Sequence, residues 1–144
     1  MREHGVEIEM IAPSALRPWA RNARTHSKKQ VHQIADSIAA FGFTNPVLID
    51  DDLTILAGHG RVAAARSLGM ARVPCRRIAG MSEDEKRAYV LADNKLALNA
   101  CWDAELLAAA LGALLPRDFE IDLTGFSIPA YDALHHGGAP AAPG

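Results

Sequence analysis

Cysteine is scarce in this chain: of 144 residues only Cys75 and Cys101 carry a thiol. They have neither the CxxC spacing of a zinc site nor the dense, even pattern of a secreted scaffold, so both read as reduced thiols. There is also no stretch of about eighteen apolar residues that could cross a membrane. The opening Met1-Arg2-Glu3-His4 starts no signal-peptide pattern, and the expectation is a soluble, cytoplasmic protein. Net positive charge is missing too. Fifteen Lys and Arg stand against seventeen Asp and Glu, so overall charge does not announce nucleic-acid binding. The sequence lacks a Walker phosphate loop, a GxGxxG fingerprint, an HExxH motif and any internal repeat. The six histidines show no ligand spacing, and no transition-metal site is assigned.

What is present is enough for one compact domain, since about half the residues are apolar. Its charge is sorted by segment. Arg17, Arg21, Arg24, Lys28 and Lys29 follow one another with no acid between them, whereas Asp50, Asp51 and Asp52, and later Glu83, Asp84 and Glu85, form acidic runs. The acidic runs read as a solvated turn and the first turn of a helix.

Apolar residues recur at helical spacing from Lys28 to Phe41, between a Ser27/Gln30 capping box and the stop residue Gly42. Two strand runs follow, residues 46–49 and 53–56, parted by the acidic turn as in a hairpin. Ala57-Gly58-His59-Gly60-Arg61 then leads into an alanine-rich helix ending at Gly69. Residues 73–78 read as a strand, which Pro74 and the charges of Arg76 and Arg77 assign to a sheet edge. A second capping box, Ser82/Glu85, opens a further helix, and Asp103 caps another that Pro116 ends. Residues 119–123 read as a short strand. The expectation is one domain over residues 1–128 and a flexible linker or tail over 129–144, rich in small residues and proline.

Three segments carry candidate chemistry. A strand, a glycine loop and a helix place backbone amides and a positive dipole end where an anion can sit, and Arg61 adds a forked donor. An ordinary tight turn with a solvent-facing arginine is the alternative. Asn22, Arg24 and His26 alternate along an extended segment and so share one face, toward a cleft or toward solvent. Asp93 and Asn94 interrupt an otherwise alanine- and leucine-rich helix. Such a carboxylate and amide pair suits a hard cation such as Mg2+, or marks only a polar helix face. His59 is a candidate acid, base or phosphate donor. Trp19 and Trp102 read as packing residues.

In their order, these segments resemble the ParB/sulfiredoxin-like domain. Leu16-Arg17-Pro18-Trp19-Ala20-Arg21-Asn22-Ala23-Arg24 is similar to the first ParB box, Gly58-His59-Gly60-Arg61-Val62-Ala63-Ala64-Ala65 to the second, and Asp93-Asn94 to the third. The resemblance spans about residues 8–126. It implies an α+β fold with a small mixed sheet flanked by helices, and a site for a nucleoside di- or triphosphate such as CTP or ATP, with Mg2+. By the same resemblance the site residues are Gly58, His59, Gly60, Arg61, Asn22 and Arg24 for the nucleotide and Asn94 and Asp93 for the metal, with His59 and Asp93 as candidate catalytic groups. Partition ParB proteins have Gly-Glu-Arg-Arg at the second box, one arginine more than here. Sulfiredoxin has Gly-Cys-His-Arg, so His59 replaces its reactive cysteine and that activity is not expected.

The chain is most similar to ParB-like domains of phages and mobile elements, above all those preceding DNA-modification methyltransferases. The stretch Leu91-Ala92-Asp93-Asn94-Lys95-Leu96-Ala97-Leu98 with Trp102-Asp103, and Leu123-Thr124-Gly125-Phe126, carry that resemblance. It implies a bacterial protein whose partners are DNA, a methyltransferase domain or protein, or a second copy of the chain. The sequence ends in a linker-like tail without a methylase motif, as expected of a stand-alone relative or of a piece of a longer protein. No helix-turn-helix follows the nucleotide-site segment, which argues against operator recognition by this chain alone. The enzyme class stays open between a binding module and a phosphotransferase, nucleotide hydrolase or nuclease using the same pocket.

Overall fold

The structure, a computed structural model, describes residues 7–20 and 25–135. The chain divides into two compact units, Met1–Leu96 and Ala97–Gly144. The first holds a mixed four-stranded sheet of β1 (Ile8–Ile11), β2 (Val47–Ile49), β3 (Ile55–Ala57) and β4 (Val73–Arg77), in the order β1-β4-β2-β3. β4 runs antiparallel to β1 and parallel to β2, and β2 and β3 form the expected hairpin.

Strand alternation decides which side chains enter the core. Val47, Ile49, Ile55, Val73 and Cys75 lie on one face and pack with Val62 and Ala65 of α2 (His59–Ser67). Burying each such valine or isoleucine contributes about 1.5–3 kcal/mol. α1 (Lys28–Phe41) packs on α2. Both hydrogen bonds of its Ser27/Gln30 capping box are present, at 3.1 Å each. α3 (Glu83–Asn99) opens with the Ser82/Glu85 box and packs Val90 against Leu56 and Ile78, where Trp19 and Tyr89 join the cluster.

Four sequence expectations need correction. β4 is an interior strand and not an edge. Pro74 is accommodated because the parallel register with β2 begins only at Cys75. Arg76 and Arg77 are half-buried, and Arg77 forks onto Glu9, with Nε 2.9 Å from Oε2 and Nη2 3.0 Å from Oε1. The second correction is Asp50, which the solvated-turn reading exposes; it is only 3% exposed. Its carboxylate accepts the N–H groups of Asp52 and Thr54 and pairs with Lys86 Nζ at 3.1 Å, so only Asp51 and Asp52 meet water.

The other two lie in the second unit, built from α4 (Ala104–Leu114) and α5 (Ile128–His135). Residues 121–124 turn as a 3₁₀ helix instead of extending as a strand, which inserts Ile121 among Leu107, Leu111 and Leu134. Helix α5 occupies residues that the sequence assigns to a linker. Asp103 caps α4 as expected, its Oδ1 accepting the Leu106 N–H at 3.0 Å. Trp102 is a boundary residue, edge-to-face with Phe126 at 5.2 Å between ring centroids.

Candidate functional site

The β3–α2 junction is tighter than the four-residue loop the sequence suggests. Only Gly58 lies outside the helix, as its N-cap, with φ 105° and ψ 22°, and His59, Gly60 and Arg61 already form the first turn. A left-handed residue costs a side chain about 1–2 kcal/mol, which is the physical reason for glycine here. No side chain caps this helix start. The first intrahelical bond runs from Val62 N–H to Gly58 O, so the amides before Val62 are the orphan donors of a helix N-terminus, at the positive end of its dipole.

Arg61 folds back over that turn. A Cβ on Gly58 would lie 3.0 Å from its Nη2, so a side chain there would push against the guanidinium. Nη2 donates to Pro46 O at 3.2 Å. Nε is buried and has no hydrogen-bond partner among the described residues. Burial lowers the guanidinium pKa and the Asp93 carboxylate opposes that shift, but an arginine remains charged at any working pH. A half-buried cation beside a positive helix end, with one donor unused, is an arrangement an anion would relieve.

His59 Nε2 accepts the backbone N–H of Trp19 at 3.0 Å. An acceptor at Nε2 puts the ring's proton on Nδ1, so the neutral imidazole has a donor to offer and not a base. Burial, and then the neighbouring His26, lower its pKa and favour this neutral form. His26 itself packs on Gly60: a Cβ there would meet Ile34 Cδ1 at 2.9 Å and His26 Cε1 at 3.1 Å. That close approach accounts for the second glycine.

These groups line one cleft of about 590 Å³, a size ordinary for a small-molecule site. Its wall includes Gly58, His59, Gly60 and Arg61 from the helix start, His26 from the segment before α1, and Asp93 and Asn94 from α3. Leu48 and Leu56 supply apolar surface, and Arg76 enters from β4. Six of the candidate site residues are therefore brought together. Asn22 and Arg24 lie outside the described residues. Asp93 is exposed and Asn94 half-buried, both within α3. Asn45 and Arg76 are wall residues the sequence reading does not single out. For Arg76 the available signal was alternation: its neighbours Val73 and Cys75 are fully buried on the α2 side, so Arg76 must face the other way, toward α3.

A mixed four-stranded sheet between a glycine-capped helix and α3, with a cleft at the helix start, defines a ParB/sulfiredoxin-like α+β domain. The chain belongs to the ParB N-terminal domain family, whose model matches residues 2–95. The ParB-like nuclease domain-containing protein YnaK of Escherichia coli K12 is 53% identical over 72 residues, covering 50% of this chain and 83% of YnaK. Among solved structures, the C-terminally truncated chromosome-partitioning protein ParB of Caulobacter crescentus, complexed with CTP-gamma-S, superposes with a TM-score of 0.67 at 16% identity. That match covers 91% of this chain and 86% of the ParB chain. A Pnob8-like ParB-N domain matches with a TM-score of 0.55 at 18% identity, over 81% of this chain and 47% of that one. At these identities the two structures speak for the fold alone. No helix among the described residues is long and apolar enough to cross a membrane.

Proposed function

We propose that the chain is a nucleotide-binding ParB-like module that holds the phosphates of a nucleoside di- or triphosphate at residues 58–61. Ligand occupancy in turn controls its association with DNA or with a DNA methyltransferase. The observation that carries the reading is Arg61: a half-buried guanidinium with an unused buried Nε, at an uncapped helix start inside a cleft. The Caulobacter relative, solved with CTP-gamma-S, makes CTP the first ligand to test and ATP the second.

His59 contributes its Nδ1–H to the phosphates, and Asn22 and Arg24 are assigned to the same ligand. Asp93 and Asn94 on the cleft wall fit Mg2+, a hard ion that accepts a carboxylate and an amide oxygen and completes its shell with water and phosphate oxygens. When bound, the ion supplies neutralisation of phosphate charge. Among the described residues no group of three His, Cys, Asp or Glu could hold a metal by itself, so ion and nucleotide are expected to bind together.

The exposed basic residues Arg17, Lys28 and Lys29 supply phosphate contacts for DNA. Binding to a DNA duplex at two salt concentrations tests this part. Counterion release makes affinity fall steeply with salt, and an affinity insensitive to salt contradicts it. A hydrolytic reading is favoured by one observation, the nuclease domain in the name of YnaK. In it Asp93 serves as base, since His59 Nε2 is engaged. Phosphate release or nicked DNA that disappears in Asp93→Asn supports that reading. Binding without turnover leaves the module.

A further inference from the structure

We infer that a second cavity, walled by Trp19, takes one unpaired base of a single DNA strand; this rests on the DNA part of the reading above and names the form of DNA. The cavity measures about 340 Å³ and lies within the first unit, between residues 17–20, the β2–β3 turn and the start of α3. Its backbone frame is fixed. The Arg17 N–H donates to Leu53 O at 2.9 Å and the Ile55 N–H to Arg17 O at 2.8 Å, which lays Arg17 beside Thr54 as a parallel bridge. His59 holds the Trp19 N–H, and Asp50 Oδ1 accepts the N–H groups of Asp52 and Thr54. Trp19 is half-buried: it packs against Leu56, Ile78 and Val90 and also lines the cavity beside Pro18. An indole anchored in this way offers an aromatic surface that is already ordered, and every base has a face to stack on it.

Charge decides how a nucleotide would enter. The buried Asp50 is matched by Lys86, which also holds Glu83 at 3.0 Å, and Arg87 pairs with Asp84 at 3.3 Å. Arg17 and Asp52 are exposed on the cavity wall and, among the described residues, their side chains make no ion pair or hydrogen bond, not even with each other. A phosphate inside would face the carboxylates of Asp50, Asp52 and Glu83 at close range, whereas a neutral base would not. One unengaged carboxylate and one unengaged guanidinium fit a nucleotide unit. An exocyclic amino group such as that of cytosine donates to Asp52, and the backbone phosphate meets the fork of Arg17 outside. A base paired inside a duplex has its faces covered by its stacked neighbours, so the occupant is a base of a single strand.

The test titrates oligo(dC), oligo(dT) and a duplex of equal length into the full chain carrying Trp102→Phe, in which Trp19 is the remaining indole, and follows its emission. Anisotropy of labelled oligonucleotides reads the affinities of Trp19→Leu, Arg17→Ala and Asp52→Ala, each with a folded circular dichroism spectrum. Oligo(dC) is expected to quench Trp19 saturably and to bind at least about tenfold more tightly than the duplex. Trp19→Leu should weaken both single strands at least about fivefold, the loss of one stacked base. Arg17→Ala should weaken them alike and flatten their salt dependence. Asp52→Ala should bring oligo(dC) down to the level of oligo(dT), whose base has no exocyclic amine. Duplex bound as tightly as single strands, or single-strand binding that leaves Trp19 emission unchanged, overturns the cavity and leaves the phosphate contacts of Arg17, Lys28 and Lys29 standing. No binding of either form overturns both. Should Trp19→Leu not fold, the quenching of Trp19 and the Asp52→Ala comparison decide by themselves.

Discussion

Trp19 and His59, 40 residues apart, are joined by a hydrogen bond of 3.0 Å from the Trp19 backbone N–H to the imidazole Nε2. The bond ties the segment before α1 to the first residue of α2, and it exists only while Nε2 is unprotonated. In the unfolded chain this histidine protonates near its ordinary pKa of about 6.5, whereas burial and then His26 hold it lower in the folded protein. Between those values the unfolded state binds the extra proton. The contribution to stability is therefore complete above about pH 6.5 and is lost as pH falls toward the folded value.

Urea unfolding at pH 7.5 and pH 5.5 measures this. The wild type should lose stability on acidification, and His59→Gln, whose side-chain oxygen can accept the Trp19 N–H without titrating, should lose less. Equal losses contradict the assignment. Asp50 does not confuse the comparison, because it titrates in a lower window.

That lower window gives a second expectation. Burial alone raises the Asp50 carboxyl, but the Thr54 N–H, the Lys86 ammonium and the Asp52 N–H together outweigh it and hold the group below the ordinary carboxylate range. Its contribution is present above about pH 4 and disappears below it. Asp50→Ala leaves the Lys86 ammonium with Glu83 alone, at 3.0 Å, and strands two backbone N–H groups, and should cost about 1–3 kcal/mol at neutral pH. In Lys86→Met the second loss of Asp50→Ala should be smaller than in the wild type, as a double-mutant cycle on urea midpoints will read.

Gly60→Ala tests the packing of the helix start. Within a helix the change gains up to about 1 kcal/mol of propensity, but here the new Cβ would sit 2.9 Å from Ile34 Cδ1 and 3.1 Å from the His26 ring. Overpacking of this kind costs about 1–3 kcal/mol, so a net loss of stability is expected together with weaker nucleotide binding. A stabilised variant with unchanged binding means that His26 does not rest on the cleft floor.

Cys75 and Cys101 should separate cleanly in thiol labelling. Cys75 is fully buried in β4, and burial, with a smaller push from Glu9, raises its thiol to about 11. Cys101 is exposed. In native protein at pH 8 one thiol per chain should react quickly with a maleimide, and mass mapping should find it on Cys101. Fast labelling of Cys75 contradicts the interior placement of β4.

What the sequence showed and what it hid divide along physical lines. The ends of α1 and α3 were legible because Ser27/Gln30 and Ser82/Glu85 are local signals, satisfied within four residues. Gly58 and Arg61 were legible for the same reason. The rank of β4 in the sheet was not, since Pro74 and two arginines are local signs of an edge, whereas the pairing with β1 and β2 joins residues far apart in sequence. Asp50 was hidden likewise: its partner Lys86 is 36 residues away, and no composition rule tells a buried acid from the solvated Asp51 and Asp52 beside it. Arg76 was misplaced together with its strand. The cleft was thus readable where it is built from one turn of helix, and unreadable where the sheet delivers a residue from elsewhere.

The central claim is that Arg61 and the amides at the start of α2 hold nucleotide phosphates. Isothermal titration of CTP and ATP with Mg2+ into wild type and Arg61→Ala, each with a folded circular dichroism spectrum, tests it most directly. Saturable one-site binding by the wild type, weakened at least about tenfold in Arg61→Ala, is the expected result. Wild type that binds neither nucleotide, or a folded Arg61→Ala that binds as tightly as wild type, contradicts it.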